Sequence, residues 1–79
     1  MTKKQRAMIN DRLMEISNKL EAIYEETMSN EELDKDREEE LNKEYIRYTW
    51  ELEGIRFTMW RLGHIVTSNI ATNGKYQII

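Results

Sequence analysis

Residues 41–62 read LNKEYIRYTWELEGIRFTMWRL, and their apolar side chains recur at alternating spacings of four and three residues. This alternation is the heptad pattern of an α-helix that packs along one seam. The residues at the seam positions are Leu41, Tyr45, Tyr48, Leu52, Ile55, Met59 and Leu62. The residues before this stretch are mostly charged, so the pattern predicts a helix that begins at about residue 30 and ends at residue 62.

The same alternation occurs earlier in the chain and predicts a first helix over about residues 3–28. Its seam positions are Ile9, Leu13, Ile16, Leu20 and Ile23. Between the two patterns, Ser29 is followed three residues later by Glu32, which is the spacing of a capping box at a helix N-terminus. Proline is absent and the first glycine is Gly54, so the turn between the helices is expected at Ser29. The two helices together predict an all-α fold, an antiparallel helical hairpin.

The C-terminal residues 63–79 differ from the helices, because they begin with a stretch that is rich in β-branched and polar residues. Gly63 follows the last seam position and suits the C-terminal cap of the second helix. Asn73-Gly74 lies between residues 70–72 and 75–78, two segments with strand-forming residues, which indicates a β-hairpin with a two-residue turn. The alternative interpretation is a short frayed helix over 65–71 and an irregular tail. Residues 1–79 are therefore expected to form a single domain with a β-hairpin-like or irregular tail.

The size of the chain favours self-association. It has 79 residues and no cysteine, so neither a large core nor a disulfide stabilises it. Two helices cannot enclose their apolar seam on all sides, so we expect a homodimer or higher oligomer, built as a coiled-coil-like helical bundle.

Charge is distributed unevenly along the predicted hairpin. Residues 1–12 carry four basic residues and one acidic residue, a net charge of +3, and residues 54–79 carry three basic residues and no acidic one. Residues 25–40 carry nine acidic and two basic residues. Because the two basic stretches meet at the open end of the hairpin, antiparallel association of two chains would pair unlike ends.

Several classes of function lack support in the sequence. It shows no nucleophile motif and no glycine-rich phosphate loop, and His64 is the single histidine, so we expect no enzyme, no cofactor and no metal site. It has no apolar stretch long enough for a signal peptide or membrane span, which predicts a cytoplasmic protein without a membrane partner. The net charge of −3 makes nucleic acid an unexpected partner.

A second apolar pattern on the second helix is not explained by the hairpin. We call it the aromatic stripe; it consists of Ile46, Trp50, Phe57 and Trp60, with Glu53 as an interruption. At about 100° per residue, the stripe points roughly 150° away from the seam, so one neighbouring helix cannot cover both. Three coverings compete: the chain's own tail, through Ile65, Val66, Ile70, Tyr76 and Ile78; a second copy of the chain; or another protein or ligand.

Aromatic side chains of this kind dominate protein interfaces. The stripe therefore predicts a non-catalytic protein-interaction module, a regulator or inhibitor that binds a larger protein. The alternative hypothesis is an oligomer that sequesters an anionic small molecule such as a nucleotide. Its basic, aromatic-lined site would lie where the open end meets the tail, because arginine binds phosphate and aromatic rings stack on bases. The candidate residues for that site are Arg56, Arg61, His64, Tyr76, Lys3 and Arg6.

Overall fold

A computed structural model describes residues 1–29 and 32–79, and for Ile70 the backbone alone. Two helices of 27 residues each, α1 (Lys3–Ser29) and α2 (Lys35–Arg61), pack against each other as an antiparallel hairpin. They are followed by strand β1 (Val66–Thr67), a 3-10 turn (Ile70–Thr72) and strand β2 (Gln77–Ile78). The molecule measures 46 × 23 × 17 Å. The predicted helical hairpin is thus confirmed.

A capping box does occur, but at the start of α1 rather than at the start of α2. The Gln5 amide donates to Thr2 Oγ1 at 3.1 Å, and the Thr2 amide donates to Gln5 Oε1 at 2.9 Å. This reciprocal pair satisfies two amides that have no partner within the helix. The sequence carries the signal, a threonine followed three residues later by glutamine.

The predicted capping box from Ser29 to Glu32 is wrong. Ser29 belongs to the last turn of α1, where its hydroxyl donates to the Glu25 carbonyl at 2.6 Å. The predicted start of the second helix at residue 30 lies outside the described residues, and residues 32–34 are not helical. α2 instead begins after Asp34, with acidic side chains in its first turn, where the helix dipole favours negative charge.

Gly63 ends α2 as predicted. It has a φ of 85°, and its amide donates to the Trp60 carbonyl at 3.0 Å. The next amide, that of His64, donates to the Met59 carbonyl at 2.8 Å. These two bonds form a Schellman motif, in which glycine accepts the left-handed conformation without strain. The chain turns away here, so Leu62 is exposed instead of lying on the seam as predicted.

The tail forms a β-hairpin whose second strand lies within the predicted segment 75–78, whereas its first strand is Val66–Thr67 instead of the predicted 70–72. Asn73 and Gly74 have φ values of 55° and 76°, and the Lys75 amide donates to the Thr72 carbonyl at 3.1 Å. This is the turn that Asn-Gly favours. The strands, however, pair Val66 with Ile78 and Thr67 with Gln77, further from the turn than expected.

Asn69 explains this difference. Its side-chain oxygen accepts the Thr72 amide at 3.1 Å, and its own amide donates to Thr72 Oγ1 at 2.9 Å. These bonds hold residues 70–72 in a 3-10 turn, since asparagine and threonine side chains compete with strand pairing for backbone groups.

The core lies between the helices and under the tail. Its buried cluster consists of Leu13, Ile16, Leu52, Met59, Val66 and Ile78. Partly buried side chains surround it: Ile9, Leu20, Tyr48, Ile55 and Tyr76. At the other end of the hairpin, Ile23 and Leu41 are also buried, whereas Tyr45 is half exposed. The tail therefore supplies the third layer that two helices lack, over the half of the seam near the chain termini.

One face of α1 holds the tail in place. Ser17 is buried, and its hydroxyl accepts the Tyr76 amide at 2.9 Å while donating to the Leu13 carbonyl at 2.8 Å. Asn10 Oδ1 accepts the Ile78 amide at 2.9 Å, and the Arg6 guanidinium donates to the Ile78 carbonyl at 3.1 Å. These bonds fix the strand β2 along α1.

Candidate functional site

The aromatic stripe is exposed along the whole of its length on α2. Ile46 is 46% exposed, Trp50 75%, Phe57 60% and Trp60 66%. Leu52 and Met59, on the seam of the same helix, are buried in the core cluster formed with α1 and the tail. The stripe therefore faces outward because the helix turns the opposite side toward the core.

The tail does not cover the stripe, although this was one of the three predicted coverings. Val66 and Ile78 lie in the core cluster and Tyr76 packs against it, while Ile65 is exposed. The side chain of Ile70 lies outside the described residues. The physical reason is the hydrogen bonding along α1, which places the tail over the seam instead.

The end of the stripe near Gly63 is a structured cluster. The rings of Phe57 and Trp60 lie 6.3 Å apart at an interplanar angle of 37°. The Arg61 guanidinium carbon lies 5.9 Å from the centre of the Phe57 ring, within the range of a cation–π contact. Glu53, the charged interruption of the stripe, is paired with Arg56 at 3.1 Å. Its charge is thus partly neutralised within the helix.

Two shallow clefts flank the stripe. One, of about 280 Å³, lies where α2 meets the tail and is lined by Glu53, Arg56, Phe57, Trp60, His64, Ile65 and Val66. The other, of about 250 Å³, is lined by Tyr45, Ile46, Thr49, Trp50 and Glu53. They share Glu53, so they form one continuous surface along α2.

The residues predicted for an anion site are only partly brought together. Arg56 and His64 line the cleft beside the tail, and Arg56 also lies 5.9 Å from the centre of the Tyr76 ring. Arg6 donates to the Ile78 carbonyl, and Arg61 lies over Phe57. Lys3 is the first residue of α1. The described residues that line this cleft do not include Lys3, Arg6, Arg61 or Tyr76. The anion site therefore stays a prediction.

A third cavity was missed by the sequence analysis. It is a groove of about 660 Å³ between α1 and α2, at the end of the hairpin where α1 ends and α2 begins, and we call it the loop-end groove. Its lining is Ile23, Tyr24, Thr27, Leu33, Lys35, Glu38, Glu39, Leu41, Asn42 and Tyr45. The seam pattern placed Ile23, Leu41 and Tyr45 together, but it did not show where the third layer stops.

Two ion pairs connect the helices. Arg12 binds both carboxylate oxygens of Glu51, at 2.5 and 2.7 Å, and Arg37 binds both oxygens of Glu26, at 2.6 and 2.8 Å. Hydrogen bonds from the guanidinium groups lower the pKa of Glu51 and of Glu26 below the ordinary carboxyl value. The same bonds raise the pKa of Arg12 and of Arg37. Both carboxylates therefore favour the folded state when ionised.

Neither a metal site nor a membrane span is found in the described part of the chain. No group of three or more His, Cys, Asp or Glu residues there is arranged to hold a metal ion. No helix of the described ranges is long and apolar enough to cross a bilayer. Comparisons with protein-family models, curated proteins and solved structures find no match to this chain. Its function must therefore be argued from its own residues.

Proposed function

We propose that this chain is a non-catalytic protein-interaction module, which regulates or inhibits a larger protein by docking on it through the aromatic stripe. The observation that supports this most is the exposure of Trp50, Phe57 and Trp60 on one face of α2 while the tail packs elsewhere. Exposed apolar and aromatic residues of this number indicate some partner or self-association.

The energetics favour a protein as the occupant. Complete burial of one large apolar side chain contributes about 1.5–3 kcal/mol, so three aromatic rings supply much of the affinity of an ordinary interface. The rings are carried by a regular helix, so little conformational entropy of the backbone is lost on binding. The clefts on either side of Glu53 offer recesses for side chains of the partner.

A second copy of the chain is the competing occupant. The stripe and Glu53 follow the same alternation of four and three residues as the seam, and this spacing suits helix-to-helix packing with any partner. The experiment must therefore distinguish a larger protein from a second copy by mass.

Photo-crosslinking in the cells that produce the chain provides this test. Phe57 is replaced by the photoreactive residue p-benzoylphenylalanine, and the matched control carries the same residue at Lys19, which is exposed on α1. We expect an adduct with a protein larger than the chain at position 57, none at position 19, and loss of the adduct when Trp50→Ser is added. Circular dichroism checks that each variant is helical.

The other outcomes are equally decisive. The chain has a mass of 9.6 kDa. An adduct of twice that mass would identify a second copy as the occupant and overturn the proposal of a larger partner. The absence of any protein adduct at position 57, or an equal yield at position 19, overturns the stripe as an interaction surface.

A further inference from the structure

We propose that the loop-end groove is a second protein-docking site, which accepts a basic amphipathic helix from another protein. None of the four stripe residues lines it, although Tyr45 lines both the groove and the cleft beside Trp50. The inference does not depend on the function proposed above. Its shape, its apolar lining and its charge each contribute to the inference.

The groove exists because the tail covers only part of the seam. Lys75 of the tail forms an ion pair with Glu21 of α1, and no residue of the tail is among the described residues that line the groove. Beyond this ion pair, the buried side chains of Ile23 and Leu41 form a floor. Tyr24 and Tyr45 stand beside this floor and are 65% and 50% exposed, so the groove presents aromatic side chains to its occupant.

Both walls of the groove are helices, which determines the kind of occupant. The described lining belongs to α1, α2 and the adjacent Leu33, so it includes no strand edge to which an extended peptide could add. A third helix packs its side chains into the space between two others. The lining spans residues 23–27 of α1 and 35–45 of α2. The longer wall, on α2, is about 15 Å long, which matches a partner helix of about three turns.

The charge around the groove determines the polar face of that helix. Glu38 and Glu39 line it, with Lys35 as the one basic residue among its described lining residues. Residues 25–40 together carry nine acidic and two basic residues. The second of these basic residues, Arg37, is already bonded to Glu26 and Glu40. A helix with Lys or Arg beside its apolar face is therefore the complementary partner.

The probe is a fluorescent synthetic peptide of about 14 residues, with leucine at helical spacing on one face and lysine on the other. One comparison peptide has glutamate in place of lysine, and another has the same composition in scrambled order. Binding to the full chain is followed by fluorescence anisotropy, and the site is located from amide chemical shifts. We expect the lysine peptide to bind and to shift groove amides, and both comparison peptides to bind at least about tenfold more weakly.

Variants locate the site independently. Tyr24→Ala removes an exposed wall and should weaken binding about tenfold, as expected for an aromatic contact residue. Glu39→Lys should weaken it about fivefold, whereas Asp11→Lys, an equal change of charge on an exposed part of α1, should change it less than about twofold. Trp50→Ser/Phe57→Ser should leave the affinity within about twofold, because neither residue lines the groove.

Three results would overturn the groove as a docking site for a basic helix. The first is equal binding of the glutamate peptide. The second is loss of binding in the Trp50→Ser/Phe57→Ser variant, which would assign the peptide to the stripe. The third is a concentration-dependent shift of groove amides without peptide, which would identify a second copy as the occupant. None of these alters the photo-crosslinking result at position 57, so the two proposals fail separately.

Discussion

Ser17 is the buried polar residue that ties the tail to α1. Its hydroxyl accepts a hydrogen bond from the Tyr76 amide and donates one to the Leu13 carbonyl, so it acts as both acceptor and donor. Apolar burial alone would position the tail less specifically, because hydrophobic contacts have no direction whereas hydrogen bonds do.

Replacing this serine should loosen the tail. We expect Ser17→Ala to lower the free energy of unfolding by about 1–2 kcal/mol, because the Tyr76 amide loses its acceptor in a partly buried position. Ser29→Ala, which removes a similar bond to a helix carbonyl at an exposed site, should change it by less than about 0.5 kcal/mol. Urea unfolding measures both, and equal effects would contradict the role of Ser17 in holding the tail.

The carboxylates of Glu51 and Glu26 make the free energy of unfolding depend on pH. Their pKa values are lower in the folded than in the unfolded chain, so their contribution is complete above the ordinary carboxyl pKa of about 4.3. This stabilising contribution is lost as the pH falls below that value and then through the lower pKa that the carboxyl group has in the folded chain. Glu26→Gln/Glu51→Gln should therefore lose less stability on acidification than the unmodified chain.

The measurement is the urea midpoint at several pH values between 7 and about 3, the range that includes carboxyl titration. Glu25→Gln/Glu39→Gln is the matched variant, because it changes the charge equally at two exposed positions. It should keep the acid dependence of the unmodified chain. An identical acid dependence in both variants would show that the two ion pairs between the helices are not responsible.

At the scale of elements, the two glycines associated with α2 have opposite roles. Gly63 has a φ of 85° at the end of the helix, which other residues adopt only with strain. Gly54 lies within the helix, and a Cβ added there would have no heavy atom within 4 Å. Gly63 therefore ends the helix, whereas Gly54 only weakens it.

Alanine substitutions should separate these roles by the sign of their effect. We expect Gly63→Ala to destabilise the fold by about 1 kcal/mol and Gly54→Ala to stabilise it by about 0.5–1 kcal/mol. Thermal unfolding measures both. Destabilisation by Gly54→Ala would mean that another chain approaches the backbone closely at this point.

In the tail, the sequence predicted the turn correctly but not both of the strands that it connects. The Asn-Gly turn formed as predicted, because its backbone conformation depends on two adjacent residues. The prediction for the first strand was wrong, because the side-chain bonds of Asn69 and the contacts with α1 decide which residues pair with the second.

At the scale of the whole molecule, the hairpin is electrically bipolar. Residues 1–12 and 54–79 each carry a net charge of +3, and residues 25–40 carry nine acidic and two basic residues. Antiparallel association stays a prediction, and a second copy that bound through the aromatic stripe would compete there with the larger partner proposed above.

Light scattering at several salt concentrations tests it. Self-association predicts a mass above 9.6 kDa at low salt that falls as salt is added, since screening weakens contacts between unlike ends, whereas a stripe that binds a larger protein requires no such mass. Trp50→Ser/Phe57→Ser should give 9.6 kDa throughout. A full chain that has this mass at every salt and protein concentration contradicts the oligomer.

The sequence by itself determined the helical hairpin and the end of α2. The repeat of apolar residues along one helix face and the glycine at its end act through neighbouring residues, so they can be recognised without the fold. The stripe was recognised in the same way, from its spacing on α2. Its position opposite the seam followed from helix geometry alone.

Only the tertiary structure decided what covers each surface. The tail is placed by bonds between residues far apart in sequence, such as Ser17 with Tyr76 and Asn10 with Ile78. These contacts cover the seam near the chain termini, leave the stripe exposed and end short of the loop-end groove. Spacing along a helix reveals which side chains share a face, but which element packs on that face depends on the competition among all long-range contacts.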